Sequence, residues 1–169
     1  LFNKWLGLAL AGPSALMVFK GMWWLFDNHV WRWKSARHLL LVPDLNGKWK
    51  VTGKTISKNG QPTPIDWAAT ITIVQSWTKM RVRLTTKSSG SRSVGATLER
   101  DAGVGYWLMY PYENDPLPGE QELKRHRGFA RLLFDEETRS AQGEYFTDKD
   151  RVTHGSMELQ RMEDDHGTS

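Results

Sequence analysis

Toward the C-terminus, the run Gly143-Glu-Tyr145-Phe-Thr147-Asp-Lys149-Asp-Arg151-Val-Thr153-His-Gly155 sets Tyr145, Thr147, Lys149, Arg151 and Thr153 at every second position. On an extended strand such residues face one way. A guanidinium, an ammonium and hydroxyls together complement the anionic oxygens of a phosphodiester. A turn over Asp148 to Asp150 would interrupt that parity, and ion pairs to these aspartates are the plainer use of the cations. A second stretch, Thr85-Thr-Lys-Ser-Ser-Gly-Ser91-Arg-Ser93, gathers six hydroxyls and two cations beside a turn. Thr85, Ser91 and Ser93, with Arg83 two residues before them, are the candidates for holding phosphate or base edges, with a solvated hairpin as the alternative. In a third, Tyr106, Tyr110 and Tyr112 share one strand face, where phenols could stack on a base and hydrogen-bond together, or simply pack in a core.

Nothing in the sequence arranges these groups for catalysis. The histidines His29, His38, His126, His154 and His166 are scattered without metal-ligand spacing. There is no phosphate loop and no nucleophile elbow. Cysteine is absent, which excludes a disulfide framework, a thiolate zinc site and a cysteine nucleophile, and fits a reducing compartment. We therefore expect a binding protein with no catalytic residue, no metal and no cofactor.

The elements that must position these residues are strands. After Leu39-Leu-Leu-Val-Pro43 the texture changes to short runs with apolar residues at every second position, separated by turn residues. Eight candidates follow: Gly47–Thr55, Ile65–Gln75, Lys79–Thr86, Ser91–Asp101, Gly105–Tyr112, Gly128–Asp135, Ser140–Thr147 and Arg151–Arg161. The second and third would pair around Ser76-Trp77-Thr78, and the longest connection runs from Glu113 to Arg127. The expected fold is all-β, an eight-stranded antiparallel up-and-down barrel able to hold one small ligand, with a sandwich as the alternative. Gly47-Lys-Trp49 opens the first strand as the Gly-x-Trp of lipocalins does, an indole plugging one end; Gly47, Trp49, Trp77 and Gly143 are the structural candidates.

Residues 1–38 differ in kind. The 169-residue chain carries net +4, yet up to Asp44 five cations face two acids, which leaves a surplus of only one for the rest. That balance is too small and mixed to indicate DNA or RNA binding. From Trp5 to Phe26 there are 22 residues with one charge, Lys20, long enough as a helix to cross a hydrocarbon core of about 30 Å. Trp5, Trp23 and Trp24 suit a membrane boundary, and Arg32, Lys34 and Arg37 supply a basic flank of the cytoplasmic kind. The expected organisation is a membrane helix with a basic linker over 1–38, a ligand-sensing barrel over 39–162 and a polar tail over 163–169. A signal peptide and a soluble or interfacial helix are the competing readings, the latter helped by Lys20 and Gly12-Pro13. The chain opens on Leu1 rather than methionine, which suggests an earlier start and a preceding apolar segment.

The succession Leu45-Asn-Gly47-Lys-Trp49, Gln75-Ser-Trp77, Thr85 to Ser93, Tyr110-Pro-Tyr112-Glu-Asn114-Asp-Pro116, His126-Arg-Gly128 and Gly143 through Gly155 resembles the two-transmembrane β-barrel effectors of bacterial CBASS antiphage systems. The resemblance implies a cytosolic barrel that senses a cyclic nucleotide, most simply a cyclic dinucleotide, made by a partner synthase after infection. It implies self-association of membrane helices, disruption of the bacterial inner membrane and abortive-infection cell death. The related Panoptes-type effectors are similar in architecture and are held inactive by their ligand. The family often has two arginines before its last strand, where this chain has Lys149 and Arg151. From another class, a lipocalin-like carrier would line a void with Ile71, Ile73, Val82, Leu84, Leu98 and Leu108.

Overall fold

The alternation past Pro43 becomes a closed ring of antiparallel strands in the computed structural model, which describes residues 2–58, 61–116, 125–148 and 152–163. The strands are β1 (Gly47–Lys58), β2 (Gln61–Gln75), β3 (Met80–Thr85), β4 (Ser89–Ser93), β5 (Thr97–Asp101), β6 (Gly105–Pro116), β7 (His126–Phe134), β8 (Ser140–Thr147) and β9 (Thr153–Arg161). Their order is β4-β3-β2-β1-β9-β8-β7-β6-β5, and β4 also pairs with β6, which closes the ring and excludes a sandwich. Because β5 takes one half of the β6 edge and β4 the other, nine strands make eight walls.

Two expectations are refined. The strand expected over Ser91–Asp101 is broken between β4 and β5, where the Val94 N–H bonds to Pro111 O at 2.9 Å. The connection expected to begin at Glu113 is still strand, because Glu113, Asn114 and Asp115 each pair with β4, and Glu113 and Asn114 also with β7.

One end of the barrel is solid. Trp49, Leu45, Val51, Ile71, Ile73, Leu108, Leu132, Phe134 and Leu159 are essentially without exposure. The Trp49 and Phe134 rings meet edge to face at 4.9 Å, and the Trp49 Nε1–H donates to Leu45 O. Arg161 lies over the same indole at 5.2 Å while donating to the Asp44, Asn46 and Thr138 carbonyls. Its guanidinium thus ties the chain entering β1 to the β7–β8 turn, a use of planar geometry that lysine could not reproduce. Gly47 has φ +124°, a backbone that favours glycine where the chain turns into β1. At Gly143 a Cβ would strike the Arg131 carbonyl.

The chain divides into two compact units, Leu1–Val42 with Ser76–Thr78, and Pro43–Gln75 with Lys79–Ser169. The first holds α1 (Phe2–Asn28), a 3-10 turn (Val30–Arg32) and α2 (Lys34–Leu40), so the expected basic linker is folded. Asp27 caps Ser76–Thr78: its Oδ1 accepts from the Thr78 N–H at 2.8 Å and from both hydroxyls. Trp77 packs edge to face on Phe26.

The membrane expectation is corrected here. Among the described residues no helix is long and apolar enough to cross a membrane. Spanning takes about 20 consecutive predominantly apolar residues, whereas α1 carries Lys20 within its apolar run and ends in Asp27-Asn28. The transmembrane helix assigned to Trp5, Lys20, Trp23 and Trp24, flanked by Arg32, Lys34 and Arg37, is therefore not upheld, nor is the inner-membrane localisation built on it.

Candidate functional site

Above its solid end the barrel is hollow. A cavity of about 540 Å³, within the range of about 300–1,000 Å³ usual for ligand sites, opens between Thr55, Trp67, Leu84, Thr86, Ser89, Ser91, Tyr110, Tyr112, Asn114, His126, Tyr145, Thr147, Thr153 and neighbours. Strand register explains its layering. Tyr110 is paired with Ala130, Ala130 with Tyr145, Tyr145 with Gly155 and Gly155 with Thr55. This course of the wall carries the phenols. Four residues further along β6, past Tyr112, Asn114 pairs with Ser91 on one side and His126 on the other, a course of amide, hydroxyl and imidazole. Apolar packing thus gives way to aromatic and then to polar lining.

Large rings fit because small residues face them. Trp67 is paired with Gly53, Tyr112 with Gly128 and Tyr145 with Gly155, and at each glycine an added Cβ would run into the facing ring. Trp67 and Tyr145 then meet edge to face at 5.6 Å. The Trp67 Nε1–H donates to the Tyr145 hydroxyl at 3.3 Å, and that hydroxyl shares a 2.9 Å hydrogen bond with Thr55 Oγ1.

Burial, and secondarily the Tyr112 phenol, push the Tyr110 hydroxyl well above its ordinary value of 10.0. An unfolded tyrosine ionises from about pH 10 while the folded one stays protonated. Its stabilising contribution is therefore complete below pH 10 and is lost as pH climbs beyond it. The melting temperature should fall more steeply above pH 10 for the unmodified chain than for Tyr110→Phe; equal slopes would show that the phenol is not desolvated.

The sequence-derived candidates divide by face. Tyr110, Tyr145, Thr147, Ser91 and Thr153 line the cavity. Thr147 is partly committed, since its Oγ1 accepts from the Thr153 N–H at 2.8 Å. Ser93 Oγ accepts from the Val82 N–H. Arg83 and Thr85 are exposed, because the inward positions of β3 are Val82 and Leu84. Lys149 and Arg151 fall outside the described residues. Among the described lining residues Lys87 is the Lys or Arg side chain present. On the outer face of β6, the Arg92 hydrogen bond first, then nearby Arg127 and Arg125, hold the Glu113 carboxyl below the usual carboxylate range.

Trp67, Thr55, Thr86, Ser89, Asn114 and His126 line the cavity without having been singled out. Asn114 continues the parity of Tyr110 and Tyr112, a signal that was available, but Glu-Asn-Asp-Pro reads as a turn. Trp67 falls in the alternating series Ile65, Trp67, Ala69, whose facing glycine on β1 becomes visible only with the register.

A closed barrel that keeps one end solid and opens a lined chamber at the other is a receptor for a small ligand. The chain belongs to the family whose model is described as Cap15, cyclic dinucleotide receptor domain, which matches residues 40–161. It is 41% identical over 150 residues to CD-NTase-associated protein 15 of Yersinia aleksiciae, covering 89% of this chain and 70% of that protein. It is thus a CBASS receptor domain of the Cap15 type, a non-catalytic class. The two-transmembrane architecture implied by the earlier resemblance does not stand beside this, since the described helices include none able to cross a membrane.

Proposed function

We propose that the barrel cavity binds a cyclic dinucleotide, and that occupancy controls self-association of the chain. The observation that carries this reading is the lining. Trp67, Tyr110, Tyr112 and Tyr145 offer faces and edges to nucleobases, and Thr86, Ser89, Ser91, Asn114 and Thr153 offer donors and acceptors above them. Of the six residues a lipocalin-like apolar carrier would need, only Leu84 lines the cavity; the other five belong to the packed core or its edge. Lys87, with Lys149 and Arg151 of the β8–β9 connection, is our proposed set of phosphate partners. A cyclic-nucleotide synthase is the functional partner. The output is membrane disruption and abortive-infection cell death, exerted from the bilayer surface by self-associated chains. Support for that surface role comes from the exposed Phe19, Met22, Trp23 and Trp24 of α1.

The test is the thermal shift of the purified chain against cyclic dinucleotides and trinucleotides, with linear dinucleotides and fatty acids as controls. Ligand at a hundredfold excess over its dissociation constant adds about 2.7 kcal/mol of stability. A selective shift with one cyclic dinucleotide, accompanied by a rise in sedimentation coefficient, is the expected result. A shift with fatty acids alone would return the barrel to the apolar carriers.

A further inference from the structure

Asn114 holds an unusual position in this cavity. Strand β6 aims it inward beyond Tyr110 and Tyr112, and its cross-strand partners are Ser91 and His126. The residue is 6% exposed, and its Nδ2 is buried with no hydrogen-bond partner among the described residues. Buried donors are nearly always paired, so an unpartnered one aimed into a lined chamber is suited to donate to an acceptor there. The fold supplies alternatives cheaply: serine, threonine or an aliphatic side chain at this place would leave no orphan amide.

Resting on the reading of the chamber as a cyclic dinucleotide site, we propose that Asn114 determines base specificity by donating from Nδ2 to an acceptor on one nucleobase edge. Position argues for the base over the phosphate. Successive inward residues of a strand stand about 6.6–7 Å apart. A base laid against the Tyr110 and Tyr112 rings, themselves 6.4 Å apart, therefore turns its edge toward Asn114. A phosphate is best met where a cation stands beside hydroxyls, since a cation adds full charge to the donors. The cation and hydroxyls of Lys87, Ser88 and Ser89 are grouped at the β3–β4 turn. A carboxamide also carries donor and acceptor side by side, the pairing that reads an adenine edge through its amino group and ring nitrogen.

The experiment measures dissociation constants of the full chain by calorimetry for cyclic dinucleotides that differ by one base at a time, together with the melting temperature of the ligand-free protein. For Asn114→Ala we expect the best ligand to weaken about tenfold or more while poorer ligands change less than about threefold, so that the preference collapses. The ligand-free melting temperature should hold or rise, because an unsatisfied donor has been removed. Asn114→Asp, which replaces the donor by an acceptor at equal volume, should weaken the best ligand further. Should the alanine variant fail to fold, Asn114→Ser carries the same comparison. An equal loss across the panel, or a lowered melting temperature with the preference intact, would overturn the role of Asn114 alone. Absence of any cyclic dinucleotide binding by the unmodified chain would overturn the ligand reading and this inference with it.

Discussion

Trp49→Ala is expected to destabilise the barrel by about 3–5 kcal/mol, a large part of the 5–15 kcal/mol that holds a typical domain together. The indole is completely buried at the solid end, edge to face with Phe134 and under the Arg161 guanidinium. Alanine would leave a hole beside Leu45 and Phe134, in the core cluster that also holds Val51 and Leu159, and backbone-anchored strands cannot collapse to fill it. It would also strip the buried Leu45 carbonyl of its Nε1–H donor. The urea midpoint reports the loss. Trp49→Phe should recover part of it, since the ring is retained but the donor is not. A change below about 1 kcal/mol would mean that the closed end is not where the stability resides.

Gly53→Ala should act in the opposite region and mainly on the ligand. The three atoms nearest to a methyl there all belong to the Trp67 ring, so it is first of all this side chain that must yield. Gly53 does not occupy the left-handed region, and alanine is therefore compatible with its backbone. Over-packing of this kind costs about 1–3 kcal/mol in stability. Displacing the indole also breaks its hydrogen bond to Tyr145 and removes one face of the chamber. Stacking against an aromatic ring is worth about 1–3 kcal/mol per base, so affinity for the cyclic dinucleotide should fall by about tenfold or more while the far-ultraviolet spectrum stays that of a β-barrel. Unchanged affinity together with changed tryptophan fluorescence would take Trp67 out of the binding site.

Much of this architecture can be read from alternation. Met80, Val82 and Leu84 against Lys79, Arg81 and Arg83 define the faces of β3, and the same alternation already places Arg83 outside. Its selection as a ligand contact followed the demand for cations near a phosphate, which the parity of its own strand contradicts. Cross-strand partners were not legible, since strand register is a property of pairs and a one-residue slip reverses every face. For that reason the glycine-to-ring matches of Gly53 with Trp67 and Gly128 with Tyr112 emerge only from the fold. The strand character of Glu113 to Asp115 was hidden for a different reason: three polar residues before a proline carry a turn signature, and only pairing to β4 overrides it. At the N-terminus the length of a run with one charge suggested a span, and length alone does not establish one: no described helix is long and apolar enough to cross a membrane.

Arg161 gives the closed end a consequence in time. It bonds to Asp44 across 117 positions of sequence, and its strand β9 supplies the partner that β1 lacks until the ring closes. Contacts this distant form slowly because a long loop must be closed before they contribute anything. During synthesis, at about 5–20 residues per second, the earlier strands emerge seconds before the one that seals them. A nascent chain of this protein therefore presents the unpaired edge of β1 for as long as ribosomal output lasts, and crowding by identical chains in that interval favours strand exchange between neighbours.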